Sequence, residues 1–271
     1  MERKIVDFHA HAFHDKIAEK AAVNLNHYYG IPLAGNGKFD ILLSSMKEHK
    51  IDKLVIHATA TKAEQVTVIN DYVSSLVREN IIGFGTMHQD FAEYEAELER
   101  VKSLGLSGIK FHPIFQGFAI DSPAMLPVYR KIAELKLPVL MHMGDRVSDG
   151  ATPKRLAAVL DAVPDLVVVA AHLGGSGDCL GGEAGWQEVE QCLCGRDNVY
   201  YDTSSSVRFI DPEKATEMIR HLGTDRVVFG TDYPLSLHQQ ELEVFDKLSL
   251  TESEQEAILW KNAYRLLGLS S

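Results

Sequence analysis

The side chains with the clearest chemical potential in this 271-residue chain are histidines and aspartates placed at the ends of apolar runs. Asp7-Phe8-His9-Ala10-His11 puts two imidazoles two positions apart, and on an extended strand such side chains point to one side and can meet one ion. Neutral imidazole is a favoured zinc ligand, and a third histidine plus a carboxylate completes a set that leaves room for water. His142, in Pro138-Val-Leu-Met-His142, and Asp232, in Val228-Phe-Gly-Thr-Asp232-Tyr-Pro234, are the natural candidates. A lone His-x-His says little, whereas four ligands at strand ends in this order are specific. The expected cofactor is one divalent ion, zinc first, with manganese or another divalent ion as the alternative.

Positioning such ligands requires strands whose carboxyl ends converge. Short runs rich in Val, Ile, Leu and Phe are apolar on both parities, as strands buried on both faces should be. They fall at 4–8, 53–57, 81–87, 108–111, 138–141, 166–171, 199–202 and 227–230, and eight is the number of a (β/α)8 TIM barrel. Helical patterns alternate with them, at 41–50, 63–79, 91–104, 127–135, 154–162, 186–194 and 212–221, with 241–248 and 253–266 at the end. Thr152-Pro153, Asp211-Pro212 and Thr251-Glu252-Ser253-Glu254 carry helix-start signals. Two glycine-containing connections, 12–38 and 174–185, read as long loops after strands 1 and 6. No linker, repeat or low-complexity tract interrupts the chain, which implies one domain over 1–271.

Seven of the 12 histidines, namely His9, His11, His57, His88, His112, His142 and His172, lie at or just past the carboxyl ends of the first six strands. Barrel enzymes build their sites at those ends. Closure is required: strands 1 and 8 can share one ion only if the sheet closes on itself.

Composition narrows the partners. The net charge of −11 is spread along the chain and opposes binding to nucleic acid or anionic lipid. The first residues are charged and hold no signal-peptide apolar stretch, and no run approaches membrane-spanning length. Cys179, Cys192 and Cys194 are too few and too clustered for a disulfide framework, so a cytoplasmic location is expected.

The motifs together resemble the amidohydrolase superfamily, in particular the amidohydrolase-related branch that includes aminocarboxymuconate-semialdehyde decarboxylase. Asp7-x-His9-x-His11, Gly108-Ile-Lys110-Phe-His112-Pro113, His142, His172-Leu-Gly-Gly175 and Gly230-Thr-Asp232-Tyr233-Pro234 carry the likeness. The resemblance implies His9, His11, His142 and Asp232 as metal ligands, with His172 and Asp232 as catalytic residues. A bound divalent ion lowers the pKa of water from about 15.7 towards 7, and an adjacent imidazole can move the proton.

Lys110 on strand 4 could bridge two metals when carboxylated, as in related barrels, or pair with Asp7 or a substrate carboxylate. The Gly-x-Lys-x-His-Pro form resembles the one-metal branch. His112, Lys110, Arg146 and Tyr233 are the candidate substrate contacts. The first functional expectation is hydrolysis of a small carboxylated or cyclic amide or lactone by metal-activated water. Non-oxidative decarboxylation is the alternative, and a non-catalytic metal- or ligand-binding barrel comes third. The expected partner is a small-molecule substrate, and barrels of this branch are commonly homodimers.

Overall fold

A computed structural model describes residues 3–175 and 182–270. Eight strands follow one another in chain order: β1 (Val6–His11), β2 (Lys53–His57), β3 (Ile81–Thr86), β4 (Ile109–Phe111), β5 (Val139–Met141), β6 (Val168–Ala170), β7 (Val199–Asp202) and β8 (Val227–Val228). Every neighbouring pair is parallel. Alternate residues serve two cores, as a period of two demands. Val55, Leu140 and Val169 join the inner cluster with Phe8 and Phe84, while Leu54, Ile56, Val139 and Val168 face the helices. Buried on both faces, the strands have the near-continuous apolar character legible in the sequence.

The barrel closes between β1 and the segment just past β8. Phe8 N donates to Phe229 O at 2.8 Å, Asp232 N to His9 O at 2.7 Å and His11 N to Tyr233 O at 2.9 Å. The buried Asp7 carboxylate reinforces this seam by accepting from Thr231 N at 3.0 Å, Thr231 Oγ1 at 2.6 Å and His9 N at 3.1 Å. Gly230 is required by the close approach of the two segments, since a Cβ there would lie 2.9 Å from His9 Cβ. The seam therefore fixes His9 and Asp232 relative to each other.

Helices occupy the connections, and Thr152, Asp211 and Thr251 cap theirs as the sequence indicates. The segment 12–38 departs from its expectation as a loop. It contains α1 (Asp15–Tyr29), capped by His14 and ended by Gly30 in the left-handed region at φ 68°. Only Ala18 and Ala22 of α1 are buried, so its larger apolar residues do not mark a core-facing stripe. Next come α2 (Phe39–Glu48) and, after a short 3-10 turn, α3 (Val66–Leu76). The expected helix at 253–266 contains a π-helical turn at Ala257–Lys261. Of the expected loop 174–185, residues 176–181, including Cys179, lie outside the described residues, and Gly182–Cys192 is helical. No helix among the described residues is long and apolar enough to cross a membrane.

The Asp7–Thr231 contact is a hydrogen bond to a buried charge. Thr231→Val should therefore lower the unfolding free energy by about 1.5–3 kcal/mol in a urea titration. A loss below about 0.5 kcal/mol would show that the seam does not depend on it.

Candidate metal centre

His9 and His11 extend from β1 towards Asp232. His9 Nε2 lies 3.3 Å and His11 Nε2 3.2 Å from the same carboxylate oxygen, Asp232 Oδ1. Asp232 Oδ2 accepts from Ser205 Oγ at 2.8 Å. Burial opposes the charge on Asp232, but the imidazoles of His9, His11 and His172 outweigh it and hold the carboxyl well below its usual range. Burial also pushes His11 down to about 4 against the opposing pull of Asp232, so this imidazole is neutral at pH 7. Neutral imidazoles and an ionised carboxylate are the protonation states that metal ligation requires.

His9 is oriented from behind. Its Nδ1 donates to Asp202 Oδ2 at 2.7 Å, which leaves the Nε2 lone pair facing inward. Lys110 Nζ lies 3.0 Å from that Nε2, and burial pushes the amine down to about 8 despite the pull of Asp232 and Asp202. Lys110 does not pair with Asp7, whose oxygens accept from Thr231 and His9 N, while His238 Nε2 stands 3.2 Å from Oδ2 without a hydrogen bond.

His142 and His172 form the other half of the cluster. His142 Nε2 faces Gly144 O at 3.0 Å, His142 Nδ1 faces His172 Nε2 at 3.0 Å, and His172 Nδ1 faces Ser204 O at 2.9 Å. Both carbonyls can only accept, so these three contacts call for three ring protons, whereas two neutral imidazoles carry two. Burial lowers the pKa of both rings, which disfavours the extra proton. The lone pairs of His142 Nδ1 and His172 Nε2 are therefore left facing each other. His9, His11 and Asp232 thus offer an imidazole and carboxylate set whose chemistry suits a divalent ion, and His142 adjoins it through His172.

Among the described residues two groupings bring three donor atoms within 4.8 Å of one another, and neither includes His142 or Asp232. His9, His172 and Asp202 also have ligand atoms close together, but Ser204 Oγ occupies their midst. It donates to Asp202 Oδ1 at 2.6 Å and lies 3.1 Å from Nδ1 of both histidines, which makes this a hydrogen-bond network. His57 joins His9 and His11 in the second grouping, its ring 4.4 Å from that of His11, and neither of its buried nitrogens has a hydrogen-bond partner. His57 is a further nitrogen donor, at a strand end but outside the ligand set that the sequence indicates. Its place at the carboxyl end of β2 was the available signal, as the end of β7 was for Asp202.

His11, His112, His142 and Asp232 line a cavity of about 920 Å³, which His9 and His172 do not reach. His112 stacks on His142 with centroids 3.8 Å apart, accepts from Phe115 N at Nδ1 and presents Nε2 to Tyr29 OH, 3.1 Å away. Of the other expected substrate contacts, Lys110 is buried against His9 and does not line the cavity. Arg146 is exposed and outside it. Tyr233 is turned away, donating through its hydroxyl to Lys38 O at 2.8 Å. Its position follows from barrel closure, because the β1 seam uses its carbonyl and forces the side chain outward.

A parallel barrel with a histidine and aspartate cluster at the carboxyl ends of its strands defines a class of metal-dependent enzymes. Residues 6–269 match the family model described as Amidohydrolase, and the chain belongs to that divalent-metal-dependent enzyme family. It is 26% identical over 238 residues to 2-amino-3-carboxymuconate-6-semialdehyde decarboxylase of Dictyostelium discoideum, a match covering 74% of this chain and 66% of that one. It is 23% identical to the gamma-resorcylate decarboxylase of Polaromonas sp. (strain JS666), covering 83% of this chain and 86% of the relative. Among solved structures, dihydroxybenzoic acid decarboxylase from Polaromonas sp. JS666, with bound manganese and 2-nitroresorcinol, superposes with a TM-score of 0.72. It is 18% identical, with 98% of this chain and 97% of that chain covered, and shares the fold.

If Asp202 aims His9 at the ion, Asp202→Asn should weaken zinc affinity about 10- to 100-fold in a chelator competition, with one ion per chain in the parent protein. Unchanged affinity would remove Asp202 from the centre. Two ions per chain would point to Lys110 as a bridge.

Proposed function

We propose that this protein is a divalent-metal-dependent non-oxidative decarboxylase acting on a carboxylic acid, with His9, His11, His142 and Asp232 holding the ion. The decarboxylases among its relatives favour this reaction over the hydrolysis first expected from the sequence. One structural observation carries it: His11, His142 and Asp232 of the imidazole and carboxylate cluster line a cavity walled mainly by apolar and aromatic groups, including Phe13, Leu25, Tyr72, Phe115 and Leu235. Such walls suit a reaction in which a carboxylate becomes neutral carbon dioxide, because they replace its hydration shell with weaker solvation.

The bound ion would supply a positive charge that orients the substrate and stabilises negative charge developing on it. Every remaining role falls to the chain. Loss of carbon dioxide breaks a carbon–carbon bond, leaves the electron pair on the substrate carbon and requires one proton there. His172 is the residue for that proton: Ser204 O fixes its Nδ1 as a donor, and its Nε2, 3.0 Å from His142 Nδ1, would take up a proton from water and pass it to the carbon. His112, stacked on His142, forms one wall beside the reacting group. Manganese in a structural relative supports testing that ion alongside zinc.

Turnover of a panel of aromatic and unsaturated acids in deuterated, oxygen-18-enriched water separates the two reactions. Decarboxylation releases carbon dioxide and leaves one deuterium on the carbon that lost it, with no oxygen-18 in the organic product. Oxygen-18 in the product without carbon dioxide release would establish hydrolysis instead. His172→Asn should lower turnover by about 10²- to 10⁴-fold while the metal content stays at the parent value.

A further inference from the structure

The cavity extends well beyond the metal-facing side chains, and its outer half is the unexplained part of the molecule. Its volume of about 920 Å³ stands near the upper end of the roughly 300–1,000 Å³ range that takes drug-sized ligands. One wall is α1, which turns Lys16, Ile17, Lys20, Ala21, Asn24, Leu25 and Tyr28 towards it at helical spacing. The opposite wall includes Val68, Ile69 and Tyr72 of α3.

The apolar surface here is not used by the fold. Helix α1 buries only Ala18 and Ala22, while Ile17 is 54% exposed, Tyr28 40% and, across the opening, Val68 68%. Ile17 and Val68 left in water around one continuous cavity, with the Tyr28 ring packed edge-on against Phe115 beside them, mark a binding surface. Among the described residues no arginine lines the cavity, so a second carboxylate on a compact diacid would find no bidentate guanidinium there, only Lys16 and Lys20. Lys16 and Lys20, one turn apart, are in no ion pair among the described residues and face the cavity with Glu64. They offer local attraction for an acid approaching a protein whose net charge is −11.

We infer that the substrate is a monocarboxylic acid with an extended, mostly apolar body, its carboxylate at the histidine cluster and its tail between α1 and α3. This rests on the decarboxylase reading for which group enters first. Continuity of the cavity from His11, His142 and Asp232 out to Ile17 and Val68 argues for a small molecule as the occupant, against a second copy of the chain.

Titration calorimetry of the manganese-loaded protein with 4-alkylbenzoates, from benzoate to 4-hexylbenzoate, tests this without turnover. Affinity should rise about two- to fourfold per added methylene. Ile17→Asp and Val68→Asp should flatten that gradient. Val147→Asp, at an 82% exposed position outside the cavity lining, should preserve it. Unchanged thermal melting would show that the flattened gradients do not come from unfolding.

Absence of saturable binding, an affinity independent of tail length, or a gradient intact in both cavity variants would overturn the inference. So would sedimentation showing a dimer that Ile17→Asp or Val68→Asp dissociates, because a second copy would then be the occupant. A clear gradient with no carbon dioxide released from any acid would leave the tail site standing and sink the decarboxylase reading alone. Carbon dioxide release without a gradient would do the reverse.

Discussion

The whole centre depends on the seam between β1 and the residues following β8. Three backbone hydrogen bonds and the Asp7 carboxylate tie the two segments, and they bring Asp232 Oδ1 within 3.3 Å of both His9 and His11. In an open sheet of eight strands the first and last would stand roughly 30 Å apart at about 4.8 Å per strand. Closure converts residues 223 positions apart in the chain into neighbours.

Holding the cluster also strains the backbone in a consistent place. His172, Leu173, Ser205 and Asp232, all just after strands β6, β7 and β8, have φ values of 61°, 49°, 47° and 57°. Each is a non-glycine residue in the left-handed region, a conformation that costs of order 1–3 kcal/mol and persists where surrounding contacts over-determine it. Those contacts are visible: Asp202 Oδ1 accepts from His172 N at 2.9 Å, and Asp232 N is fixed on His9 O. Gly175, at φ 91°, lets the segment after β6 approach the His142 loop, since a Cβ there would lie 2.8 Å from Gly144 N. Strain and close packing thus serve the same purpose, aiming His172 at His142.

The barrel and most of the cluster were legible in the sequence because both arise from local rules. Doubly buried strands read as apolar runs, and histidines at their ends stand out against the usual scarcity of buried polar groups. His9 and His11 follow from strand parity alone. Asp202 and His57 were missed because orienting an imidazole, or standing unpaired beside one, is a property of the assembled barrel. Tyr233 and Arg146 could not be sorted from spacing, as one residue decides whether a side chain faces the cavity or the wall behind it. Helix α1 escaped notice because its apolar side chains face a cavity and its core contact is made by alanines. The feature that hid it from pattern reading is the one that makes it a candidate substrate wall.

The protein joins two separable parts, a histidine and aspartate cluster brought together by closure and an apolar cavity beside it. The first is central, since the cavity has chemistry only if the cluster holds a metal. An anomalous difference map from crystals of the zinc-loaded protein tests it most directly. It should show one peak bonded to His9, His11, His142 and Asp232, with zinc–nitrogen distances of about 2.0–2.1 Å. A peak among His9, His172 and Asp202 with Ser204 displaced, or one that recruits His57 and leaves out His142, would contradict it.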